Sequence, residues 1–199
     1  TTIAVTDTTI DATTLASTID AYDGINGGGT TDMTLASGAT INVDAGEITA
    51  MLADESLGRL TIADQAITVN SAATISVDTA NLLKATTTGV VTASITTTES
   101  VSELNTLTGT TGAYTIVVAS GDATSTTAAQ LNTLNGKTTV AVDLTNVTAL
   151  AGSSLSDLET FASAVNANEF SNDSGLTTIA VTDTTIDATT LASTIDAYD

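Results

Sequence analysis

One 23-residue segment occurs twice in this chain, and it constrains the possible folds more than any other feature. The string TTIAVTDTTIDATTLASTIDAYD occupies residues 1–23 and again residues 177–199, without a single substitution. We call the two segments copy 1 and copy 2. Long-range self-similarity is typical of repeat architectures, although an engineered or duplicated terminus is an alternative. We therefore expect residues 1–176 to be one full tandem repeat and residues 177–199 to begin the next.

The composition provides enough apolar material for a folded core but few aromatic side chains. Hydrophobic residues make up 42% of the chain and aromatic residues only 3%. Such a core must be built mainly from Ile, Val, Leu and Ala. Threonine dominates the polar positions, and its β-branched side chain suits the pleated surface of a strand. We therefore expect a folded, strand-rich protein rather than a disordered one.

The charge of the chain is strongly one-sided, with 23 acidic residues against Arg59, Lys84 and Lys137 and a formal net charge of −20. So few cations cannot neutralise phosphates, which excludes nucleic acid as a partner. No apolar run is long enough to predict membrane insertion. The acidic surface keeps molecules apart, and it repels itself unless salt or divalent cations screen it. A saline or calcium-bearing exterior would suit a chain of this charge.

The residue types that carry most enzyme chemistry are missing. The chain has no Cys and no His, so thiol chemistry and the commonest general base are both excluded. Serine and threonine nucleophiles therefore lack an evident activating base. The glycines at 27–29 are not followed by the lysine and hydroxyl residue of a phosphate-binding loop. We expect a protein that is not an enzyme and that has no certain cofactor.

Strands are predicted by a recurring five-residue phrase in which β-branched apolar residues alternate with small or polar ones. Weaker versions of the phrase lie at residues 66–70 and 90–95. The five clear instances are TIAVT at 2–6, TINVD at 40–44, TISVD at 74–78, TIVVA at 115–119 and TVAVD at 139–143.

Short helices are predicted after most of these phrases. Four pairs have the spacing of a capping box, in which the first side chain and the fourth cap each other's backbone amides: Asp44 with Glu47, Ser100 with Glu103, Thr127 with Gln130, and Ser156 with Glu159. Apolar pairs at helical spacing accompany them: Leu15 and Ile19, Ile48 and Leu52, Leu104 and Leu107, Leu131 and Leu134, and Val147 and Leu150. Glycines suited to helix ends then divide the period into seven units of roughly 25 residues: Gly24, Gly58, Gly89, Gly109, Gly136, Gly152 and Gly175.

The order strand, helix, strand predicts parallel pairing through right-handed crossovers. We expect a mainly β protein with short helices, a parallel-stranded β-solenoid of about seven strand–helix units. This architecture is favoured because its stacking can continue across the junction between repeats. A compact α/β repeat domain is the alternative, and a β-helix in which the helices are only turns is a further version of the solenoid.

A candidate calcium site surrounds the glycine-rich loop that follows copy 1. Asp20, Asp23, Asn26 and Asp32 place side-chain oxygens on both sides of this loop. Calcium takes six to eight hard oxygen ligands, which such loops supply from side chains and carbonyls. The loop is similar to the glycine- and aspartate-rich calcium turns of secreted β-roll proteins, although their nonapeptide rhythm is absent. A solvated loop without an ion is the alternative.

Two phrases resemble the Thr-, Ala- and Leu-rich repeats of very large secreted bacterial surface proteins. They are VSELNTLTGTTG at 101–112 and AAQLNTLNGKTTVAVDLTNVTALAG at 128–152. Giant cell-surface proteins of marine cyanobacteria, including the one associated with swimming, belong to this group. The resemblance implies an extracellular, calcium-rich setting and a structural, adhesive or surface-coat role, and it transfers no functional residue.

These observations together predict a structural protein that forms a segment of an extracellular fibre, filament or giant adhesin stalk. Its partner would be itself, through repeats or subunits arranged head to tail. The alternative is a cell-surface module that binds a carbohydrate or a protein, or a component of an S-layer-like coat. A cluster of aromatic side chains would favour the binding module, but the aromatic residues are scattered along the chain.

Overall fold

The computed structural model describes residues 2–25 and 32–198 of the chain. These residues form two compact units, which divide between Ser94 and Ile95. The helices of the first unit are α1 (Ala12–Ile25), α2 (Ile48–Ser56) and α3 (Val77–Thr86). The helices of the second unit are α4 (Val101–Leu104), α5 (Ala128–Asn135), α6 (Leu155–Asn166) and α7 (Ala188–Tyr198).

The strands are short and alternate with these helices. The first unit contains β1 (Thr2–Val5), β2 (Thr9–Asp11), β3 (Asp32–Leu35), β4 (Thr40–Val43), β5 (Leu60–Thr61), β6 (Ala66–Val69), β7 (Thr74–Ile75) and β8 (Val91–Ile95), the last residue of which belongs to the second unit. The second unit contains β9 (Ala113–Thr115), β10 (Val142–Asp143), β11 (Ala149–Ser153), β12 (Phe170–Ser171) and β13 (Thr178–Val181).

The prediction of a mainly β solenoid is wrong. The chain adopts an α/β fold with parallel sheets, with 36% of the described residues in helices and 24% in strands. The segments predicted as short helices, which the β-helix alternative treated as turns, are helices because they have apolar side chains to bury. Helix α6 runs for 12 residues and buries Leu158, Phe161 and Ala162.

The first unit contains two parallel sheets. One has the strand order β1-β3-β5, and the other runs β2-β4-β6-β8-β7. In the parallel pairs β1–β3, β3–β5, β2–β4, β4–β6 and β6–β8, partner residues lie 24 to 31 positions apart in the chain. The parallel pairing expected from the order strand, helix, strand is therefore confirmed.

A column of β-branched side chains forms the centre of the second of these sheets. Ile10, Ile41, Ile67 and Val91 are successive register partners on β2, β4, β6 and β8. All four side chains are buried. Burying one such side chain contributes about 1.5–3 kcal/mol. Each strand therefore adds one rung to a continuous apolar column.

The second unit has two pairs of parallel strands, β10 with β12 and β11 with β13. Its helices contact one another in chain order, α4 with α5, α5 with α6 and α6 with α7. Half-buried asparagines connect successive helices. The Asn105 side-chain amide donates to the Gln130 carbonyl at 3.2 Å, and that of Asn132 donates to the Asp157 carbonyl at 2.9 Å.

The helix starts confirm two of the four predicted capping boxes, those of Ser100 with Glu103 and Thr127 with Gln130. Helix α6 is instead capped by Ser154, whose hydroxyl accepts from the Asp157 amide at 3.2 Å. The predicted start at Ser156 is wrong because Leu155 is itself buried as the first helical residue.

The other predicted helix boundaries are met only in part. Glu47 caps α2 without a side-chain cap bond, although its carboxylate accepts from the Asp44 amide at 3.2 Å. Leu150 lies in β11 rather than in a helix because it pairs with Ile179. Among the glycines expected to end helices, Gly58 follows α2 with a φ of 70°, whereas Gly152 lies inside β11.

Candidate assembly interface

The two copies of the repeated segment form the same helix. Helix α1 begins at Ala12 and α7 at the equivalent Ala188. In copy 1 the Asp11 carboxylate accepts from the Thr14 amide at 3.1 Å. In copy 2 Asp187 accepts from the Thr190 amide at 3.2 Å. The helix start is therefore determined by the segment itself.

Copy 1 pairs with the residues that follow it. Strand β1 pairs with β3, and β2 pairs with β4. The Thr40 amide donates to the Thr8 carbonyl at 2.9 Å. The Thr13 hydroxyl donates to the Glu47 carboxylate at the start of α2. We call the side of the segment that makes these contacts its following face, because it meets the residues that follow the segment in the chain.

Copy 2 pairs with the residues that precede it. Strand β13 pairs with β11, and the Thr182 amide donates to the Ser153 carbonyl at 3.0 Å. The Asp183 carboxylate accepts from the Leu155 amide at 2.7 Å, at the first residue of α6. The Ser193 hydroxyl donates to the Glu159 carboxylate on α6 at 3.1 Å. We call the side of the segment that makes these contacts its preceding face, because it meets the residues that precede the segment in the chain.

The two faces use different groups of the same sequence. Backbone pairing on the preceding face uses the Thr182 amide, whereas pairing on the following face uses the Thr8 carbonyl, two residues further along the segment. The helix contacts also differ: Ser193 serves the preceding face, and Thr13 serves the following one. These contacts use different atoms of the segment. One copy can therefore pair on both sides at the same time.

The following face is covered in copy 1 and exposed in copy 2. Ile10 is 7% exposed in copy 1, whereas the equivalent Ile186 is 41% exposed. Leu15 is 4% exposed, and the equivalent Leu191 is 38% exposed. Residues 9–11 form β2 on β4, but the identical residues 185–187 form no strand. The sequence is the same, so the difference lies in the presence of a covering partner.

Gly152 permits the close approach of copy 2. A Cβ atom at this position would lie 2.5 Å from the Thr182 Cγ2 atom, well inside van der Waals contact. The register of the β11–β13 pair also shifts between Leu150 and Ser153. Glycine at this point of β11 therefore fits a close approach of neighbouring strands.

The sequence-predicted calcium ligands are only partly brought together. The Asp23 carboxylate lies 3.4 Å from Arg59 Nη1, which also lies 3.8 Å from the Asp54 carboxylate. Asp20 is exposed on α1, and Asp32 is the first residue of β3. The fourth ligand, Asn26, lies outside the described residues. Within the described ranges, no group of three His, Cys, Asp or Glu residues is placed to hold a metal ion. Calcium binding stays a prediction.

The carboxylates around Arg59 influence one another. Burial raises the pKa of Asp54 above its usual range, Arg59 opposes this effect, and the negative charges of Asp20 and Asp23 add to it. Arg59 therefore supplies a positive charge in the part of the cluster that the structure describes. Partly exposed ion pairs of this kind contribute little to stability.

A cleft of about 500 Å³ in the second unit is the kind of cavity that a binding module would use. Its lining includes Asn135, Thr138, Val140, Ala167 and Glu169. The Glu169 carboxylate already accepts from the Asn135 amide at 2.5 Å. The lining residues include no aromatic side chain that could stack on a sugar ring.

Sequence reasoning assigned no interface role to the groups that matter most here, and it predicted Gly152 as the end of a helix. Thr182, Asp183 and Gly152 form the preceding face, and Ile186 lies on the exposed following face. The exact identity of the two copies was the available signal, because it requires one segment to fit two different neighbours.

Comparison with known proteins adds no family to this description. The chain matches no protein-family model, and no similarity to a curated protein or to a solved structure was found. Among the helices of the described residues, none has the length and apolar character needed to cross a membrane.

Proposed function

We propose that this protein is a structural protein, one segment of an extracellular fibre or filament built from tandem 176-residue repeats. The observation that carries the proposal is the difference in exposure between Ile10 and Ile186 and between Leu15 and Leu191. Copy 2 presents apolar side chains in an arrangement that, in copy 1, is covered by the next strands and helix of the chain. In the fibre, copy 2 would bind the equivalent strands and helix of the next repeat.

Successive repeats would be held together because each one adds buried β-branched side chains to the same apolar column. Ile10 begins the column that continues through Ile41 and Ile67. Ile186 occupies the equivalent place in copy 2, so a following repeat would continue from it with the equivalents of those residues. Backbone pairing and side-chain burial then join successive repeats without disulfides, which the chain cannot form.

The acidic surface favours a role in which neighbouring molecules do not associate side by side. A net charge of −20 repels neighbouring molecules, and a saline or calcium-bearing medium would screen the repulsion within each molecule. This balance suits a cell-surface or extracellular fibre that grows along one direction. The exposed edge strands are then protected by the next repeat, which is one way that proteins avoid uncontrolled strand pairing.

Electron microscopy of the native material tests the proposal. We expect uniform filaments with an axial repeat that corresponds to one 176-residue period. Labelling with an antibody against residues 177–199 should mark the filament at the same interval, because each period contains one copy. Discrete globular particles without a periodic label would contradict the fibre.

A further inference from the structure

The first amide of each helix from α4 to α6 has a hydrogen-bond partner outside its own helix. An α-helix leaves its first four amides without acceptors inside the helix. In all three helices the N-cap hydroxyl accepts from the third helical amide at 3.2 Å, and these hydroxyls belong to Ser100, Thr127 and Ser154. The first helical amide needs a different acceptor, and it belongs to Val101 in α4, Ala128 in α5 and Leu155 in α6.

That acceptor comes, in each case, from the segment that leads into the next helix. The bonds run from the Val101 amide to the Asp122 carboxylate at 2.7 Å, from the Ala128 amide to the Ser153 hydroxyl at 2.9 Å, and from the Leu155 amide to the Asp183 carboxylate at 2.7 Å. The bonded residues lie 21, 25 and 28 positions apart in the chain. We call the three accepting side chains forward caps.

The amides that the forward caps serve belong to buried residues. Val101, Ala128 and Leu155 are each less than 10% exposed. A buried amide that loses its acceptor keeps the full cost of its removal from water. The start of each helix is therefore satisfied only while the segment that leads into the next helix is docked.

The same contact explains why a polar side chain is buried at the end of β11. Ser153 is 3% exposed. Its hydroxyl accepts from the Ala128 amide and donates to the Ala151 carbonyl at 2.8 Å. Because the hydroxyl both donates and accepts, its burial leaves no orphaned group, and it joins β11 to the start of α5.

We propose that the forward caps couple neighbouring parts of the second unit, so that undocking of one segment releases the start of the helix before it. This coupling goes beyond the proposed function, because it acts within one molecule whether or not that molecule belongs to a fibre. Coupling between two segments is reciprocal, so a loosened helix start also weakens the docking of its forward cap. Terms of this kind between neighbouring units make repeat proteins unfold cooperatively.

Helix α4 shows the coupling most directly because it is only four residues long. A helix this short is not stable without contacts to the rest of the fold. The Leu104 amide donates to the Ser100 carbonyl at 2.8 Å, and the Asn105 amide donates to the Val101 carbonyl at 3.0 Å. Neither bond includes Asp122. A change in these two bonds after loss of the Asp122 carboxylate must therefore pass through the helix.

Amide hydrogen exchange of the full chain tests the coupling. In Asp122→Ala we expect the Leu104 and Asn105 amides to exchange about tenfold faster, as the loss of one hydrogen bond to a charged group implies. Asp122→Asn keeps a side-chain oxygen that can accept, and it should restore most of the protection. Thr124→Ala truncates an exposed side chain of the same turn and is the matched control, which should leave both rates unchanged.

Faster exchange that is confined to the Val101 amide, or to the turn that contains Asp122, would overturn the coupling. Asp183→Ala gives an independent test on α6, where the Leu158 amide donates to the Ser154 carbonyl in the first turn and the Ala167 amide donates to the Ser163 carbonyl at the other end. Exchange should become faster at Leu158 and stay unchanged at Ala167. An equal change at the two ends would indicate a general loss of stability and would also overturn the coupling. The filaments expected of the proposed function do not depend on either result.

Discussion

Single residues act in this fold in two ways, through bonds to their sequence neighbours and through close contact with a distant strand. Ser100 and Glu103 cap each other within one helical turn, with the Ser100 amide donating to the Glu103 carboxylate at 2.7 Å. Gly152, by contrast, matters only because Thr182 lies against it. The first kind of residue could be identified from the sequence, since the capping spacing is local. The second kind could not, because nothing near Gly152 indicates which strand will approach it.

The capping box of α4 predicts a titration that can be measured at one residue. Hydrogen bonds from the Ser100 amide and then from the Ser100 hydroxyl hold the pKa of Glu103 below its usual value. A lowered pKa stabilises the fold above the unfolded-state pKa, and this contribution is lost as the pH falls through the folded-state pKa. We expect Ser100→Ala to raise the pKa of Glu103 towards its usual value, as followed by NMR titration.

The box of α5 supplies the control for this titration because Gln130 does not ionise. Thr127→Ala should cost about 1 kcal/mol, as loss of a helix cap usually does, and the cost should be the same above and below the Glu103 titration. The cost of Ser100→Ala should instead be larger above the Glu103 titration than below it. Equal pH dependence in the two variants would contradict this account of Glu103.

Gly152→Ala tests the close contact between β11 and copy 2. The added Cβ atom would meet the Thr182 methyl group at 2.5 Å, so either the Thr182 side chain must rotate away or the backbone must shift. We expect a loss of about 1–3 kcal/mol in the free energy of unfolding, which is typical of overpacking. Faster amide exchange at Thr182 should accompany the loss.

Gly121→Ala is the matched control for this substitution. A Cβ atom at Gly121 would have no atom within 4 Å. Its effect should therefore stay within about 0.5 kcal/mol, as is usual for surface substitutions. If both variants lose the same stability, the contact with Thr182 has no special role.

At the scale of elements, the repeated segment separates local from long-range causes of structure. Helices α1 and α7 form in both copies because their caps and apolar spacing lie within the segment. Strand β2 forms only where β4 is present. The sequence therefore predicted helices and parallel pairing better than it predicted strand boundaries. The phrase at 74–78 shows the same limit, since only Thr74–Ile75 is a strand and Ser76 caps α3.

From the sequence alone, the candidate interface could be predicted only as the junction between two repeats. Comparison of the copies in the sequence indicates that one segment must meet two neighbours. Which atoms serve each neighbour depends on register, and register is set by distant strands. The preference for β over α/β architecture failed for a related reason. Propensity favoured strands at the threonine-rich positions, whereas packing of apolar stripes decided in favour of helices.

The two copies provide a matched pair of substitutions at the element scale. Leu15→Ala removes a buried side chain and should cost about 2–5 kcal/mol in the free energy of unfolding measured with urea. Leu191→Ala truncates the equivalent leucine of copy 2, which is exposed. Its cost should be near 0.5 kcal/mol, as for other surface substitutions. Equal losses in the two variants would contradict the assigned difference between the copies.

At the scale of the whole molecule, electrostatic repulsion opposes the compact state. With 23 acidic residues and three basic ones, the fold should become more stable as salt screens the charges. We expect the thermal midpoint to rise as NaCl increases from about 10 mM to 500 mM, over which the screening length falls several-fold. A midpoint that falls with salt would indicate that attractive ion pairs dominate instead.

A specific calcium site would act beyond this general screening. At matched ionic strength, calcium should raise the midpoint more than magnesium does, and a chelator should reverse the effect. Asp32→Asn should reduce the calcium increment if the predicted ligands Asp20, Asp23, Asn26 and Asp32 bind the ion. An unchanged midpoint with calcium and with chelator would remove the calcium hypothesis and leave Arg59 as the counter-charge of Asp23.

The central claim is that the exposed face of copy 2 receives the next repeat. Hydrogen–deuterium exchange of a two-period chain, residues 1–176 followed directly by residues 1–199, tests it most directly because it contains the segment in three contexts. We predict that amides at 185–187 of the middle copy are protected like those of β2, about 100-fold more than in the last copy. Equal, rapid exchange in the middle and last copies would contradict the claim.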